Sequence, residues 1–284
     1  MQAAKLPMSK FAQRWIELMV IISLLLTYGW AAKQRNLFWK DDLSLWSDAV
    51  KKSPQKYRGH NNLGRAYLGE KDFDRAMEEF RETLRLKPTA EKAYLNIGQI
   101  YEEKGQIEDA IYNYKKALEI SPNFTDALHF LGNIYEKQRL LDTALLYYEK
   151  AWRTKQDNPK LLVSMGSAFQ KKGLFREAVN HYKMALQIGP NMPEAYYNLG
   201  LAHDEKGLLD EAAYYYQKAL KIKPDYTQSL SNLGVIYARM GRLEEGIDLF
   251  KKALKIKPDD AITLINLGAA YEEKERAANK KALK

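Results

Sequence analysis

Apolar residues recur in this chain at helical spacing, and the pattern itself returns about every 34 residues. In the segment 193–226, one helical face is indicated by the i, i+3, i+4, i+7 spacing of Tyr196, Leu199, Gly200 and His203. Gly207 interrupts this face, and a second amphipathic run continues to Pro224. Proline ends that run because it has no backbone N–H to donate. Each unit therefore predicts a helical hairpin.

Small and aromatic residues return at fixed places in every unit. The first helices share a glycine, at Gly64, Gly98, Gly132, Gly166, Gly200, Gly234 and Gly268. The second helices share an aromatic residue, at Phe80, Tyr114, Tyr148, Tyr182, Tyr216 and Phe250, and a small residue lies four positions before each. Small residues predict a close approach of the paired helices, and the aromatic rings are expected to fill the inner positions.

This pattern of Leu-Gly, Tyr, Ala, Phe/Tyr, Ala and Pro resembles the tetratricopeptide repeat. The resemblance covers residues 57–260 as six repeats. Residues 261–284 resemble the first helix of a seventh repeat, followed by a charged C-terminal cap. The resemblance implies an all-α, right-handed superhelix whose first helices line an inner groove. Gln156 stands where a proline is expected, and Pro159 follows it. Lys71 and Arg139 replace turn glycines, so we expect less sharp turns there.

One transmembrane helix is predicted before the repeats, over 15–32, where Glu17 is the only charged residue. A helix of this length spans about 27 Å, close to the thickness of a bilayer's hydrocarbon core. The basic tail 1–14 predicts a cytosolic N-terminus, with the repeats on the non-cytosolic side. Two alternatives remain open, a cleaved signal peptide ending near Ala31 and a buried helix of a soluble array.

The connector and half-repeat helix, 33–56, join this helix to the array. Asp41 and Asp42 suit the start of a helix, and Trp46 lies where the aromatic residue of a second helix is expected. We therefore expect the array to begin against the bilayer, with Phe38 and Trp39 near its surface. Alternatively, these two residues cap the first apolar layer.

The same junction resembles the end of the membrane portion in multi-pass O-mannosyltransferase-like proteins that carry tetratricopeptide repeats. The residues involved are Arg35-Asn36, Trp39-Lys40-Asp41-Asp42, Leu45-Trp46, Ser53-Pro54 and His60-Asn61-Asn62-Leu63-Gly64. In such proteins the catalytic residues lie in the earlier membrane portion, so the resemblance assigns no catalytic residue to this chain.

Composition excludes several functional classes. The absence of cysteine excludes disulfides and thiolate metal sites. The formal charge is +9, but the excess of basic residues is concentrated in 1–56, and the repeats are nearly balanced. We therefore predict no nucleic-acid partner. Asp72-Phe73-Asp74 matches a sugar-transferase metal motif, yet its position between two helices favours a helix cap. No enzyme activity, metal or cofactor is predicted.

The family resemblance implies that the residue two places before the repeat glycine faces the inner groove, and in five units this residue is an asparagine: Asn62, Asn96, Asn198, Asn232 and Asn266. Asparagine both donates and accepts hydrogen bonds, so this ladder of asparagines suits the backbone of an extended peptide. Phe130 and Ser164 interrupt it. The alternative is that the asparagines bond to neighbouring helices.

The predicted groove is basic at one end and apolar at the other. Arg58, Arg65 and Lys92 suit a carboxylate or an acidic peptide; the alternative, which the pattern favours, is ordinary solvated surface charge. The chaperone-binding proteins of the family that this chain resembles hold a terminal carboxylate with side chains from three successive repeats. A complete clamp of that kind is not expected here, since Asp126 and Phe130 stand where the third repeat would supply basic residues. The apolar end is formed by Tyr197, Leu201 and Val235 with Ala238, Ile262 and Ile265.

The sequence thus predicts a membrane-anchored scaffold that binds a peptide segment of another protein in a concave groove. The alternative is an accessory or truncated part of an O-mannosyltransferase-like membrane glycosyltransferase, with a multi-pass enzyme as its partner. A soluble adaptor led by a signal peptide is a third possibility.

Overall fold

The computed structural model describes residues 10–38 and 40–282, and the regular structure of these residues is entirely α-helical. Fifteen helices follow in order: α1 (Lys10–Phe38), α2 (Asp42–Lys52), α3 (Tyr57–Gly69), α4 (Phe73–Leu86), α5 (Glu91–Glu103), α6 (Ile107–Ile120), α7 (Thr125–Lys137), α8 (Leu141–Thr154), α9 (Pro159–Lys171), α10 (Phe175–Ile188), α11 (Pro193–Glu205), α12 (Leu209–Ile222), α13 (Thr227–Arg239), α14 (Leu243–Ile256) and α15 (Ala261–Ala282).

Two compact units divide the chain, Met1–Ile120 and Ser121–Lys284. In the first, α2 packs against α3, and the hairpins α3/α4 and α5/α6 stack on each other. In the second, the hairpins α7/α8, α9/α10, α11/α12 and α13/α14 stack in chain order, and α15 packs against α14. Neighbour-to-neighbour stacking is the arrangement that a repeat array needs to bury its apolar faces.

A glycine and an aromatic ring meet at the centre of each hairpin. A Cβ atom added to Gly200 would lie 2.6 Å from the ring of Tyr216, which is fully buried. The same arrangement joins Gly64 to Phe80. These glycines have ordinary helical backbone angles, so packing is what excludes a side chain there. The predicted close approach and aromatic filling are confirmed.

The turns at Lys71 and Arg139 have the same geometry as the glycine turns, so the prediction of less sharp turns is wrong. The φ angle is 60° at Lys71 and 63° at Arg139, compared with 74° at Gly105. The turn is closed by the N–H of Asp72, which donates to the carbonyl of Tyr67 at 2.9 Å. Hairpin packing imposes a left-handed backbone even where a side chain makes it less stable by about 1–2 kcal/mol.

Acidic side chains cap two helix N-termini, as predicted. Asp41 precedes α2, and its carboxylate accepts from the backbone N–H of Ser44 at 2.7 Å. Asp72 precedes α4 and accepts from the N–H of Arg75 at 3.1 Å. The Asp72-Phe73-Asp74 run is therefore a capped helix start.

The predicted span 15–32 forms part of the longer helix α1, and many of its apolar side chains are exposed, including Leu25 and Leu26. In the described part of the chain, however, no helix combines the length and the apolar character that crossing a membrane requires. The predicted transmembrane helix is thus not supported. Residues 1–9 of the basic tail and Trp39 lie outside the described residues.

Candidate functional site

A basic cleft of about 460 Å³ lies in the first unit. Helix α3 contributes one face to it, on which Arg58, Asn61, Asn62 and Arg65 follow at helical spacing. The start of α5 contributes Lys92. The structure therefore brings together Arg58, Asn62, Arg65 and Lys92, four of the residues that the sequence singled out. Lys87 adds a cation from the loop after α4, and Glu91 is the one acidic residue of the lining.

Tyr57 lies between two cations at the edge of this cleft. Its hydroxyl is 3.3 Å from Nε of Arg58 and 3.3 Å from Nζ of Lys87, and both nitrogens donate to it. The hydrogen bond from Arg58, followed by that from Lys87, lowers the pKa of Tyr57 below its usual value. Hydrogen bonds from two cations favour the negatively charged form of an acceptor at this place.

The cations of the cleft are otherwise available to a ligand. Within the described residues, Arg58, Arg65 and Lys92 form no salt bridge, and each of these side chains is exposed. Asn96, also predicted here, is only 6% exposed, and its Nδ2 donates to Oδ1 of Asn61 at 3.5 Å. It positions Asn61 at the cleft and is not itself presented to solvent.

The predicted groove residues of the second unit divide into two groups. Tyr197 and Leu201 pack against the core that contains Tyr216 and Leu233. Asn232 donates from Nδ2 to the hydroxyl of Tyr197 at 3.3 Å and to that of Tyr216 at 3.4 Å. These contacts tie α13 to α11 and α12, so part of this group supports the packing of the array.

The remaining residues lie nearer the surface. Val235 and Asn266 line a cleft of about 350 Å³ together with Ala238, Arg239, Ala269 and Glu273. Asn198 is half-buried on α11. This cleft has apolar walls and charged residues at its rim, a composition suited to a side chain of a partner segment.

A buried carboxylate on α7, which the sequence interpretation missed, organises the second unit where the asparagine ladder is interrupted. Glu136 is 8% exposed. Its Oε2 accepts from the hydroxyl of Tyr148 at 2.6 Å, and its Oε1 accepts from Oγ of Ser167 and Nζ of Lys171 at 2.7 Å each. Burial and this carboxylate together raise the pKa of Tyr148 above its usual value. Both carboxylate oxygens of Glu136 thus have hydrogen-bond donors, and the cluster stabilises the packing of the repeats.

His129 and Ser164 lie beside this cluster. Nε2 of His129 is 2.9 Å from Oγ of Ser164. Burial lowers the pKa of His129, and the carboxylate of Asp126 opposes that shift. Burial therefore favours the neutral form of His129, and Ser164, which interrupts the ladder, bonds to this side chain in the neighbouring repeat.

One sequence signal could have found these contacts. The pairs Asn61–Asn96, His129–Ser164, Glu136–Lys171 and Tyr197–Asn232 are each 35 positions apart. A separation of 35 is one repeat of 34 residues plus one residue. Two side chains at this separation lie on the first helices of neighbouring repeats. Complementary side chains at this separation therefore predict hydrogen bonds between neighbouring repeats.

Among the described residues, no group of three or more histidine or acidic side chains is placed so that it could hold a metal ion. His60 and His203 form hydrogen bonds within the array. His60 bridges the Glu79 carboxylate at 2.6 Å and the carbonyl of Pro54 at 2.9 Å, and His203 bonds to the carbonyl of Leu199.

Comparison with family models matches most of the array. A model described as TPR repeat matches residues 98–138, and models described as tetratricopeptide repeat match 57–90, 127–160, 163–227 and 227–260. These matches confirm the repeats and do not reach the junction before residue 57, so the O-mannosyltransferase resemblance stays a prediction. A comparison with curated proteins found no match.

Solved structures share the fold. A chain of the APC/C hetero-tetramer Cut9–Hcn1 is 20% identical with a TM-score of 0.72 over 84% of this chain, which spans only 47% of that chain. PilF of Pseudomonas aeruginosa is 14% identical with a TM-score of 0.66 over 76% of this chain and 97% of its own. YrrB, described as a TPR protein with an unusual peptide-binding site, is 26% identical with a TM-score of 0.50 over 66% of this chain and 97% of its own.

Proposed function

We propose that this chain, which belongs to the tetratricopeptide repeat family, is a non-catalytic scaffold that binds an acidic, extended segment of another protein in the basic cleft of α3 and α5. The fold neighbours support a scaffold for protein–protein interaction. YrrB, which is described as having a peptide-binding site, supports a peptide ligand.

The observation that carries this proposal is the set of exposed cations in one cleft. Arg58 and Arg65 are two helical turns apart on α3, and Lys92 faces them from α5. Carboxylates form strong, charge-assisted hydrogen bonds with such groups. Asn61 and Asn62 lie between the cations and can bond to the peptide backbone, which both donates and accepts. The lining therefore matches an extended chain whose side chains are acidic.

Binding of a defined probe tests the proposal. A fluorescein-labelled peptide of alternating Glu and Ser is titrated with the full chain and followed by anisotropy. We expect saturable binding that weakens steeply as salt is raised, because exposed charges are screened within about 8 Å at physiological ionic strength. The matched control replaces each Glu with Gln. Equal affinity for the two peptides would show that charge plays no part and would overturn the proposal.

A lipid partner is proposed for helix α1. Its side chains at Leu18, Ile22 and Leu25 follow one another at helical spacing and are exposed. A contiguous exposed apolar surface is typical of a membrane or protein contact, and a helix with a basic tail before it favours lipid. We propose that α1 attaches the protein to a bilayer, with the orientation predicted from the tail.

Flotation with vesicles of phosphatidylcholine and phosphatidylglycerol tests this attachment. The full chain should float with the vesicles, and a variant carrying Leu18→Gln, Ile22→Gln and Leu25→Gln should remain at the bottom of the gradient. The matched control carries Gln at Tyr112, Leu146 and Tyr214, which are apolar residues of the repeats with similar exposure. If the α1 variant floats as the wild type does, attachment through this helix is excluded. Protease protection in cells then tests the predicted side of the repeats.

A further inference from the structure

The seventh repeat glycine has no ring against it. In each of the six hairpins, a Cβ atom added to the repeat glycine would lie within 2.7 Å of an aromatic ring of the second helix; these glycines are Gly64, Gly98, Gly132, Gly166, Gly200 and Gly234. A Cβ atom at Gly268 would meet nothing within 4 Å in the described part of the chain. The surface of α15 that a second helix would occupy is therefore open.

The residues around Gly268 are exposed where their counterparts are buried. Leu264, Ile265 and Tyr271 are 48%, 69% and 41% exposed. The residues at the same places in the preceding repeat, Leu230, Ser231 and Tyr237, are 5%, 6% and 7% exposed. The side of α15 that corresponds to a buried side of α13 is thus exposed and carries apolar residues. We call the four residues Leu264, Ile265, Gly268 and Tyr271 the α15 face.

The chain does not fold back to cover this face at the expected place. In the preceding hairpins the reversal occurs at Gly207 and Gly241, which have φ angles of 71° and 78°. The corresponding residue in the seventh unit is Glu275, and it lies inside α15, which continues to Ala282. At the place where the preceding repeats turn back, α15 therefore continues as a helix.

We propose that the α15 face docks an amphipathic helix of another protein. The six hairpins define its chemistry. An aromatic ring is placed over the glycine, a small residue precedes the ring by four positions, and a small residue follows it by three. In α12 these residues are Ala212, Tyr216 and Ala219, and all three are fully buried. Partner helices are thus recognised by the pattern small-x3-Phe/Tyr-x2-small, with an otherwise polar surface.

A second copy of this chain does not offer such a helix. In the helices that carry the pattern, the ring is already buried within its own hairpin, as Tyr216 is. Helix α2 is the half-repeat, and it places Trp46 at the position of the ring. However, Asp42 stands at the position of the preceding small residue. At the equivalent position Gly246, an added Cβ atom would be 2.7 Å from the carbonyl oxygen of Gly234. A carboxylate would be repelled there.

Docking is tested with a helix taken from this chain. A peptide of residues 208–224, stapled on its exposed face to keep it helical and labelled with fluorescein, is titrated with the full-length protein. We expect saturable binding, weakened about tenfold or more by Gly268→Leu, which fills the position of the ring. Tyr216→Ala in the peptide should weaken binding to a similar extent.

The matched protein control is Ala277→Leu, which places the same side chain on the opposite side of α15 and should leave the affinity unchanged. Two results would overturn the proposal. In the first, the stapled peptide does not bind, or binds equally well to the Gly268→Leu variant. In the second, sedimentation shows a dimer of the wild type that Gly268→Leu dissociates, which would make a second copy the occupant. Neither result bears on the basic cleft.

Discussion

Gly200→Ala will lower the stability of the array, whereas Gly268→Ala will raise it. Both glycines occupy the same place in the repeat and lie within helices, α11 and α15. An alanine methyl at Gly200 would lie 2.6 Å from two atoms of the Tyr216 ring, closer than carbon atoms can approach. The ring is fully buried, so it cannot move aside freely. Such overpacking costs about 1–3 kcal/mol.

At Gly268 the same substitution meets open space. Only the intrinsic preference of the helix for alanine remains, and it stabilises by about 0.5–1 kcal/mol. The two variants should therefore shift the midpoint of urea unfolding in opposite directions. Unfolding by urea is followed by far-ultraviolet circular dichroism. The slope of the free energy of unfolding against urea concentration should be the same in both variants and in the wild type, which shows that only stability has changed. If both variants shifted the midpoint upward, the ring would not require a glycine beneath it.

Removing three cations from the basic cleft should abolish most of the affinity for an acidic peptide. In the variant with Arg58→Ala, Arg65→Ala and Lys92→Ala, we expect binding of the Glu-Ser peptide to weaken roughly a hundredfold at low salt, since each substitution removes a charge-assisted contact. The remaining affinity should depend less on salt, because fewer charges take part. Helical content should not change, as all three side chains are exposed.

A control variant separates the cleft from the net charge of the protein. Lys115→Ala, Lys183→Ala and Lys221→Ala remove the same three charges from exposed positions on second helices, α6, α10 and α12. This variant should bind the peptide nearly as well as the wild type. Equal loss in the two variants would mean that the peptide responds to overall charge, and the cleft would then have no special role.

Much of the fold could be predicted because the information is local and repeated. Gly207 and Pro224 mark the limits of helices through backbone properties of single residues. In each of the six hairpins an aromatic residue lies sixteen positions after the repeat glycine, as Tyr216 does after Gly200. A helical hairpin with helices of this length places these two positions opposite each other. The basic cleft was predicted in part for the same reason, since Arg58 and Arg65 share a face of one helix.

The side-chain partners could not be predicted in this way. Asn96 and Asn232 occupy equivalent positions, yet one bonds to Asn61 and the other to the hydroxyls of Tyr197 and Tyr216. In both cases one partner is the residue 35 positions earlier, so the bond differs because a different side chain stands there, and Asn232 also reaches the hydroxyl of Tyr216 in the preceding hairpin. The identical residue therefore has different exposure in different repeats.

The helices, their order, the pairing of helices into hairpins and the packing of a glycine against an aromatic ring all follow from the amino-acid pattern alone. These features depend on backbone preferences and on a spacing that recurs in each unit. Other features are visible only in the folded protein. The tertiary structure shows that Lys71 adopts a glycine-like turn, that Glu136 is buried beneath Lys171, and that Gly268 lacks the ring found at its equivalents. Each of these results depends on what a neighbouring helix places against the residue, and that is a property of packing in space.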